Sequence, residues 1–281
     1  MSDEQLEAQL AARIAPWLEH MRWRGDFESW RERRLHQERY QEEHLAGVQA
    51  VIGTPAGRRV LDLGAGMGGF SVALARAGAL VTALEYNGDY CGIVRLRARR
   101  YGLALPVVQS PGEALPFAAG AFDLVCSWDV LEHVQDPAAV LREVHRVLGP
   151  AGAAIVTVIN RYAFRDPHYH LAGLNWMPRP WAEACIRRAA RGKEDSPFAD
   201  RQALSAMHYF TWGAWVRLAR ASGFRVEDLA ETRLLAGRHA SRRAGRRRLR
   251  SALRALGLER LAYRAARACY LPMFEVVLWK G

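Results

Sequence analysis

Three glycines and two acids at short, fixed spacings hold most of the chemistry legible in this chain. Val60 to Leu63 is an apolar run interrupted by Asp62, and Gly64, Ala65, Gly66, Met67, Gly68 and Gly69 follow it. Glycine has no Cβ, so such a loop turns sharply and lets backbone N–H groups approach a bound ligand. Gly64, Gly66 and Gly69 also satisfy the G-x-G-x-x-G spacing that seats a dinucleotide pyrophosphate at a helix N-terminus. Asp62 opposes that ligand: a carboxylate just before the first glycine repels a pyrophosphate and attracts a cationic or amino-bearing group. Further on, Glu85 ends the apolar run LVTALE, where a carboxylate can accept both hydroxyls of a ribose. The pattern describes a cradle for a nucleotide-like cofactor other than NAD.

The elements that must position these residues alternate in type. Short β-branched runs at 58–64, 80–85, 105–109, 122–128 and 153–160 are separated by helical stretches, the sequence form of a doubly wound parallel α/β sheet. The cofactor crevice of such a sheet lies at the carboxyl ends of its strands. Ahead of it, residues 1–55 carry few glycines and many charges interleaved with Trp17, Trp23, Trp30 and Tyr40, as expected of two helices forming a cap. The core proper spans 56–160. Residues 161–207 break the rhythm with several prolines and are expected to be an inserted substrate lid. A helix over 211–222, a strand over 223–231 and a last strand over 274–280 complete the expected core, with a basic helical insertion at 238–267. Within that insertion Arg238, Arg242, Arg243, Arg246, Arg247, Arg248 and Arg250 fall in thirteen positions without one acid.

Composition bounds the rest. The chain has 281 residues, of which 50% are apolar, yet no run approaches the roughly 20 apolar residues of a membrane helix. The first ten residues, MSDEQLEAQL, hold no apolar signal core, so a cytoplasmic protein is expected. Cys91, Cys126, Cys185 and Cys269 form no C-x-x-C pair, which suggests neither a zinc site nor a disulfide framework. The net charge of +11 implies affinity for polyanions. A basic helix interleaved with Leu249, Leu253, Leu256, Leu258, Leu261 and Tyr263 suits an anionic membrane surface. The same charge would suit RNA phosphates, or a solvated helix packed on the sheet.

Taken in order, VLDLGAGMGG (60–69), ALEYN (83–87), GEALPF (112–117), FDLVCSWDVLEHVQDP (122–137) and LREVHRVLGPAG (141–152) resemble the class I S-adenosylmethionine-dependent methyltransferases, in particular the type-11 group. A weaker echo covers 208–224. The resemblance implies a Rossmann-like sheet of seven strands, the last entering antiparallel beside the sixth. It also implies S-adenosylmethionine as cofactor, with Gly64, Ala65, Gly66 and Gly68 on its methionine part and Asp62 beneath, holding the loop or the ammonium group. Glu85 would take the ribose hydroxyls and Tyr86 would flank the adenine. Where the group commonly carries an acid that binds the adenine amine, this chain has Pro111, so that contact falls to the backbone around Gly112 or to Glu113. Ser127, Trp128 and Asp129 should line the crevice where cofactor meets acceptor, while Leu131 and Val134 pack the next helix.

Methyl transfer is an in-line attack on a sulfonium carbon, so the protein chiefly orients and desolvates the acceptor, and a hydroxyl acceptor also needs a base. Histidine is the usual supplier. His133, His168, His170 and His208 are the candidates, the middle two flanking Tyr169 in the lid. Asp166, His168 and His170 could in principle hold magnesium, but that ion prefers carboxylates, and no metal site is expected. Tyr162, Trp176 and Trp181 are expected either in a small core of the lid or as a substrate platform. The Asn/Asp-Pro-Pro-aromatic motif of amino-methylating enzymes is replaced by SWDVLEHV, which disfavours base N-methylation. The expected acceptor is a hydroxyl of a saccharide, lipid-linked glycan or other small metabolite. A quinone or polyprenyl-type acceptor, an RNA acceptor and a non-catalytic scaffold on the same fold are the alternatives.

Overall fold

The computed structural model describes residues 2–22, 24–189, 203–236 and 251–281. Seven strands form one sheet: β1 (Arg59–Leu63), β2 (Leu80–Glu85), β3 (Val107–Gln109), β4 (Phe122–Ser127), β5 (Leu148–Ile159), β6 (Phe224–Asp228) and β7 (Met273–Lys280). Their order is β3-β2-β1-β4-β5-β7-β6. The first five run parallel to one another, and β7 is antiparallel to both β5 and β6. The expected position of the last strand is therefore the observed one. Only Phe224 to Asp228 of the expected sixth strand is extended; Asp228 then accepts the Glu231 N–H at 2.9 Å and caps a helix.

Both faces of the sheet are buried, which is why its strands read as continuous apolar runs. One face packs Leu141 and Val144 of the helix Pro137–Val147 and Trp215 of the helix Trp212–Ala221 against Leu61, Val125 and Val276. The other packs Val48, Phe70 and Leu74 against Val60, Leu124 and Ile155. The strand order reverses between β1 and β4, the point at which a doubly wound sheet opens its crevice.

The cap has three helices rather than two: Asp3–Leu18, Phe27–Leu35 and Glu42–Ile52. Trp23 lies outside the described residues. The first helix buries Leu10, Ile14 and Leu18 against Ile93 of the helix Gly88–Arg99, and Trp17 meets Tyr90 edge to face at 4.6 Å. Arg97, fully buried, ties cap to core. It donates to the carbonyls of Leu35 (2.7 Å), Arg34 (2.9 Å) and Met67 (2.8 Å) and pairs with the equally buried Glu38.

After β5 the chain makes a knot of turns organised by Asp166, which is wholly buried. Its Oδ1 accepts the His168 N–H (2.9 Å) and Tyr169 N–H (2.7 Å), and its Oδ2 accepts from Asn175 Nδ2 (3.0 Å) and the Tyr209 hydroxyl (3.1 Å). The insertion has its own core, but of Tyr169, Leu174, Ala182, Ile186 and Leu204. Tyr162, Trp176 and Trp181 are exposed instead, Trp176 lying tilted against Phe164 with ring centroids 5.5 Å apart. Residues 190–202 of the expected lid and 238–250 of the basic insertion lie outside the described residues. The remainder of that insertion includes the helix Glu259–Cys269, whose Arg260, Arg264 and Arg267 pair with Glu231 and Asp228.

Candidate active site

The glycine loop divides its work by position. Gly64, Gly66 and Gly68 all sit at positive φ (76°, 54° and 78°), a region open to glycine at little cost. A Cβ on Gly64 would fall 2.3 Å from Val130, and one on Gly68 would fall 2.9 Å from Val94, so both glycines exist for close packing. A Cβ on Gly66 would meet nothing within 4 Å. Gly66 is thus the glycine that faces the open crevice.

Glu85 ends β2 beside this loop, 9% exposed. Its two oxygens accept the N–H groups of Gly66 (2.7 Å) and Asn87 (2.9 Å), which fixes the carboxylate at the mouth of the cradle. Asp62 lies deeper and is 2% exposed. The Ser71 hydroxyl donates to it, which leaves it tied to the helix Gly69–Arg76 under the loop. Burial, with a contribution from the Glu85 charge, pushes its pKa up to about 7. Asp62 is thus tied through Ser71 to the helix that follows the loop.

Tyr86, next after Glu85, is 71% exposed. Glu113 is committed elsewhere, its Oε1 accepting the N–H groups of Gln135 (2.8 Å) and Asp136 (3.4 Å). A Cβ on Gly112 would meet Val140 at 3.4 Å and Leu63 at 3.8 Å, so the backbone there lies against the side chains of the core.

At the end of β4, Ser127 is buried with its Oγ unpartnered, and Trp128 stacks on His44 of the cap at 4.3 Å. The cap therefore reaches the crevice. Asp129 adopts φ +55°, a left-handed backbone that is uncommon outside glycine but better tolerated by aspartate than by most residues. Its N–H donates to Thr157 Oγ1 at 2.7 Å, and the Thr157 hydroxyl donates back to Oδ1 at 3.1 Å. Surrounding protein, then the neighbouring Glu132 charge, pushes the Asp129 carboxyl above its ordinary range.

Two of the four histidines meet here. The His133 and His168 rings lie 5.1 Å apart, one from the loop after β4 and one from the insertion. Between them is Glu132, which no local pattern had singled out: it is 1% exposed, and neither of its carboxylate oxygens has a hydrogen-bond partner among the described residues. His208 approaches only through its backbone N–H, which donates to the Glu132 carbonyl at 3.0 Å. His170 is exposed on a left-handed turn (φ +57°) outside this group. The trio Asp166, His168 and His170 is not a metal site, because the Asp166 carboxylate is spent on the insertion's own backbone and side chains.

A family profile described as a methyltransferase domain matches residues 61–156. The chain is similar to the ubiquinone biosynthesis O-methyltransferase of Pseudomonas aeruginosa strain LESB58, 38% identical over 175 residues, which covers 62% of this chain and 67% of that protein. It is 39% identical over 108 residues to the enzyme of the same name from Xanthomonas axonopodis pv. citri, spanning 45% of that protein and 38% of this chain. In fold it is similar to an S-adenosylmethionine-dependent methyltransferase from Mesorhizobium loti, with a TM-score of 0.53 and 19% identity over 84% of this chain and 96% of the other.

Proposed function

Because the chain belongs to the class I S-adenosylmethionine-dependent methyltransferases, we propose that it methylates a hydroxyl on the ring of a quinone-type small molecule. The names of its relatives, ubiquinone biosynthesis O-methyltransferases, support this acceptor over the saccharide expected from sequence. The observation that carries the reading is a juxtaposition. A glycine cradle open at Gly66 and fixed by Glu85 stands beside a buried carboxylate–imidazole group at the end of the adjacent strand β4.

In this reading the loop Gly64–Gly68 holds the methionine half of the cofactor, Glu85 its ribose, and Tyr86 with the Gly112 backbone its adenine. The acceptor enters between Asp129 and the group Glu132, His133 and His168. Its oxygen lone pair attacks the methyl carbon, the S–CH₃ pair stays on sulfur, and the sulfonium becomes a neutral thioether. The hydroxyl proton passes to the polar group at the β4 end, and exclusion of water keeps the oxygen nucleophilic. An acceptor with an apolar tail would bring the protein to an anionic membrane surface. Leu256, Leu258 and Leu261, exposed on the described part of the basic insertion, support that placement.

The test is calorimetric titration with S-adenosylmethionine, S-adenosylhomocysteine and NADH, followed by incubation of the loaded protein with short-chain prenylated catechols and with monosaccharides. Release of S-adenosylhomocysteine on the catechols alone is the expected result. Release on saccharides alone would return the acceptor to the carbohydrate class.

A further inference from the structure

We infer that His44, on the third helix of the cap, is the base that takes the acceptor's hydroxyl proton. The inference rests on the methyl-transfer reading above and names the proton's destination within the polar group at the end of β4. The four histidines named from the sequence are poorly placed for the task. His168 and His133 turn their Nε2 atoms toward Glu132 Oε1, at 3.4 Å and 3.9 Å. His208 approaches only through its backbone, and His170 is exposed outside the group. His44 lies in the first turn of the helix Glu42–Ile52, half-buried. Its ring stacks on Trp128 at 4.3 Å and meets Phe70, of the helix that follows the glycine loop, edge to face at 5.8 Å. It therefore bridges the segments that follow β1 and β4, on the cap side of the crevice.

Gln41 fixes which ring nitrogen carries the proton. Its buried side chain donates from Nε2 to the Gln37 carbonyl at 2.9 Å, a bond that only the amide nitrogen can make. Its Oε1 is thereby the atom 2.7 Å from His44 Nδ1, so Nδ1 must be the donor. A neutral imidazole protonated there keeps its lone pair on Nε2, and no hydrogen bond among the described residues takes it. Burial holds the ring below its ordinary pKa; Asp129 and Glu43 on its own helix pull the other way, and Arg233, from the helix Leu229–Leu235, adds to the lowering. The ring is therefore uncharged and ready as a base near neutral pH. In the step the acceptor's O–H bond breaks and its proton bonds to Nε2. The O–CH₃ bond forms as the S–CH₃ bond breaks, with that pair left on sulfur. The imidazolium then lies on the indole face of Trp128 beside the Asp129 charge, both of which favour a cation, and it releases the proton to solvent.

The full chain, His44→Ala and His44→Gln are compared on short-chain prenylated catechols and on monosaccharides, with saturating S-adenosylmethionine and across the acid and neutral pH range. On whichever acceptor the parent uses, both variants should lose roughly 10²-fold or more in kcat while S-adenosylhomocysteine affinity by calorimetry stays in place. The parent's kcat should rise with pH along a limb below the ordinary histidine value of 6.5, a limb absent from His44→Ala, and added imidazole should restore part of that variant's rate. Nitrogen NMR of the parent protein, which needs no variant to fold, should show the His44 proton on Nδ1. Full rate in His44→Ala, an unmoved acid limb, or a proton on Nε2 would overturn the assignment. Turnover of saccharides and of no catechol by the parent would sink the quinone-type reading, and loss of that turnover in His44→Ala would still support the base. Silence of the parent on both classes would overturn the inference together with the reading beneath it.

Discussion

At the scale of single residues, Glu85 and Gly66 act as one unit, because the carboxylate proposed to take the ribose also fixes the loop N–H beside it. Gly66→Arg should fill the open side of the cradle and abolish cofactor binding, with some loss of melting temperature because an L side chain at φ +54° is strained. Glu85→Ala should weaken binding less severely; unchanged affinity in both variants, measured by calorimetry, would overturn the site map. Asp62 sets a pH dependence. Its carboxyl titrates near 3.8 in an unfolded chain and at about 7 in the fold. Between those values the native state holds the extra proton, so stability falls as pH rises through the window and stays lowered above it. Asp62→Asn should remove that slope, visible as a smaller drop in melting temperature from pH 4 to pH 7 than the parent shows. These residues were legible in the sequence because their partners are near in the chain. Glu132 was not: it sits in an ordinary apolar context, between Leu131 and His133, and only His168, brought back by the insertion, gives it meaning.

At the scale of elements, what the sequence conveyed depended on periodicity. The parallel strands announced themselves by apolar runs, and the glycine loop by its position after one of them. The cap was read as two helices because nothing in its charge-rich pattern marks the break near Gly25 and Asp26. Its attachment was also hidden, since Glu38 and Arg97 pair across a long stretch of chain. Glu38→Ala should strand the Arg97 guanidinium in a buried site and cost about 3–5 kcal/mol of unfolding free energy by chemical denaturation. Cofactor affinity should fall with it, because Arg97 also holds Met67 of the loop. The insertion behaves differently. Asp166→Ala removes the acceptor of four hydrogen bonds that shape the turn carrying His168, so methyl transfer should be lost while S-adenosylhomocysteine still binds in titration. Loss of both would mean that the insertion supports the cradle as well.

At the scale of the whole molecule, charge and topology matter most. Part of the basic insertion is neutralised internally, where Arg260, Arg264 and Arg267 meet Glu231 and Asp228, which composition alone did not reveal. The arginines at 238–250 lie outside the described residues. Deleting 238–250 should abolish flotation with anionic vesicles and leave neutral vesicles unbound as before; retained flotation would move the contact elsewhere. No helix among the described residues is long and apolar enough to cross a membrane. The antiparallel β7, lodged between β5 and β6, also governs the order of assembly during synthesis. Strand β6 has β7 as its only sheet neighbour, so it emerges from the ribosome with no edge to pair with. The cradle side, β3-β2-β1-β4-β5, can zip up as it is made, while the far edge waits for about fifty further residues to clear the exit tunnel. Nascent chains arrested before Met273 should therefore carry a formed cofactor loop beside an open flank of β5, a state in which ligand capture precedes completion of the fold.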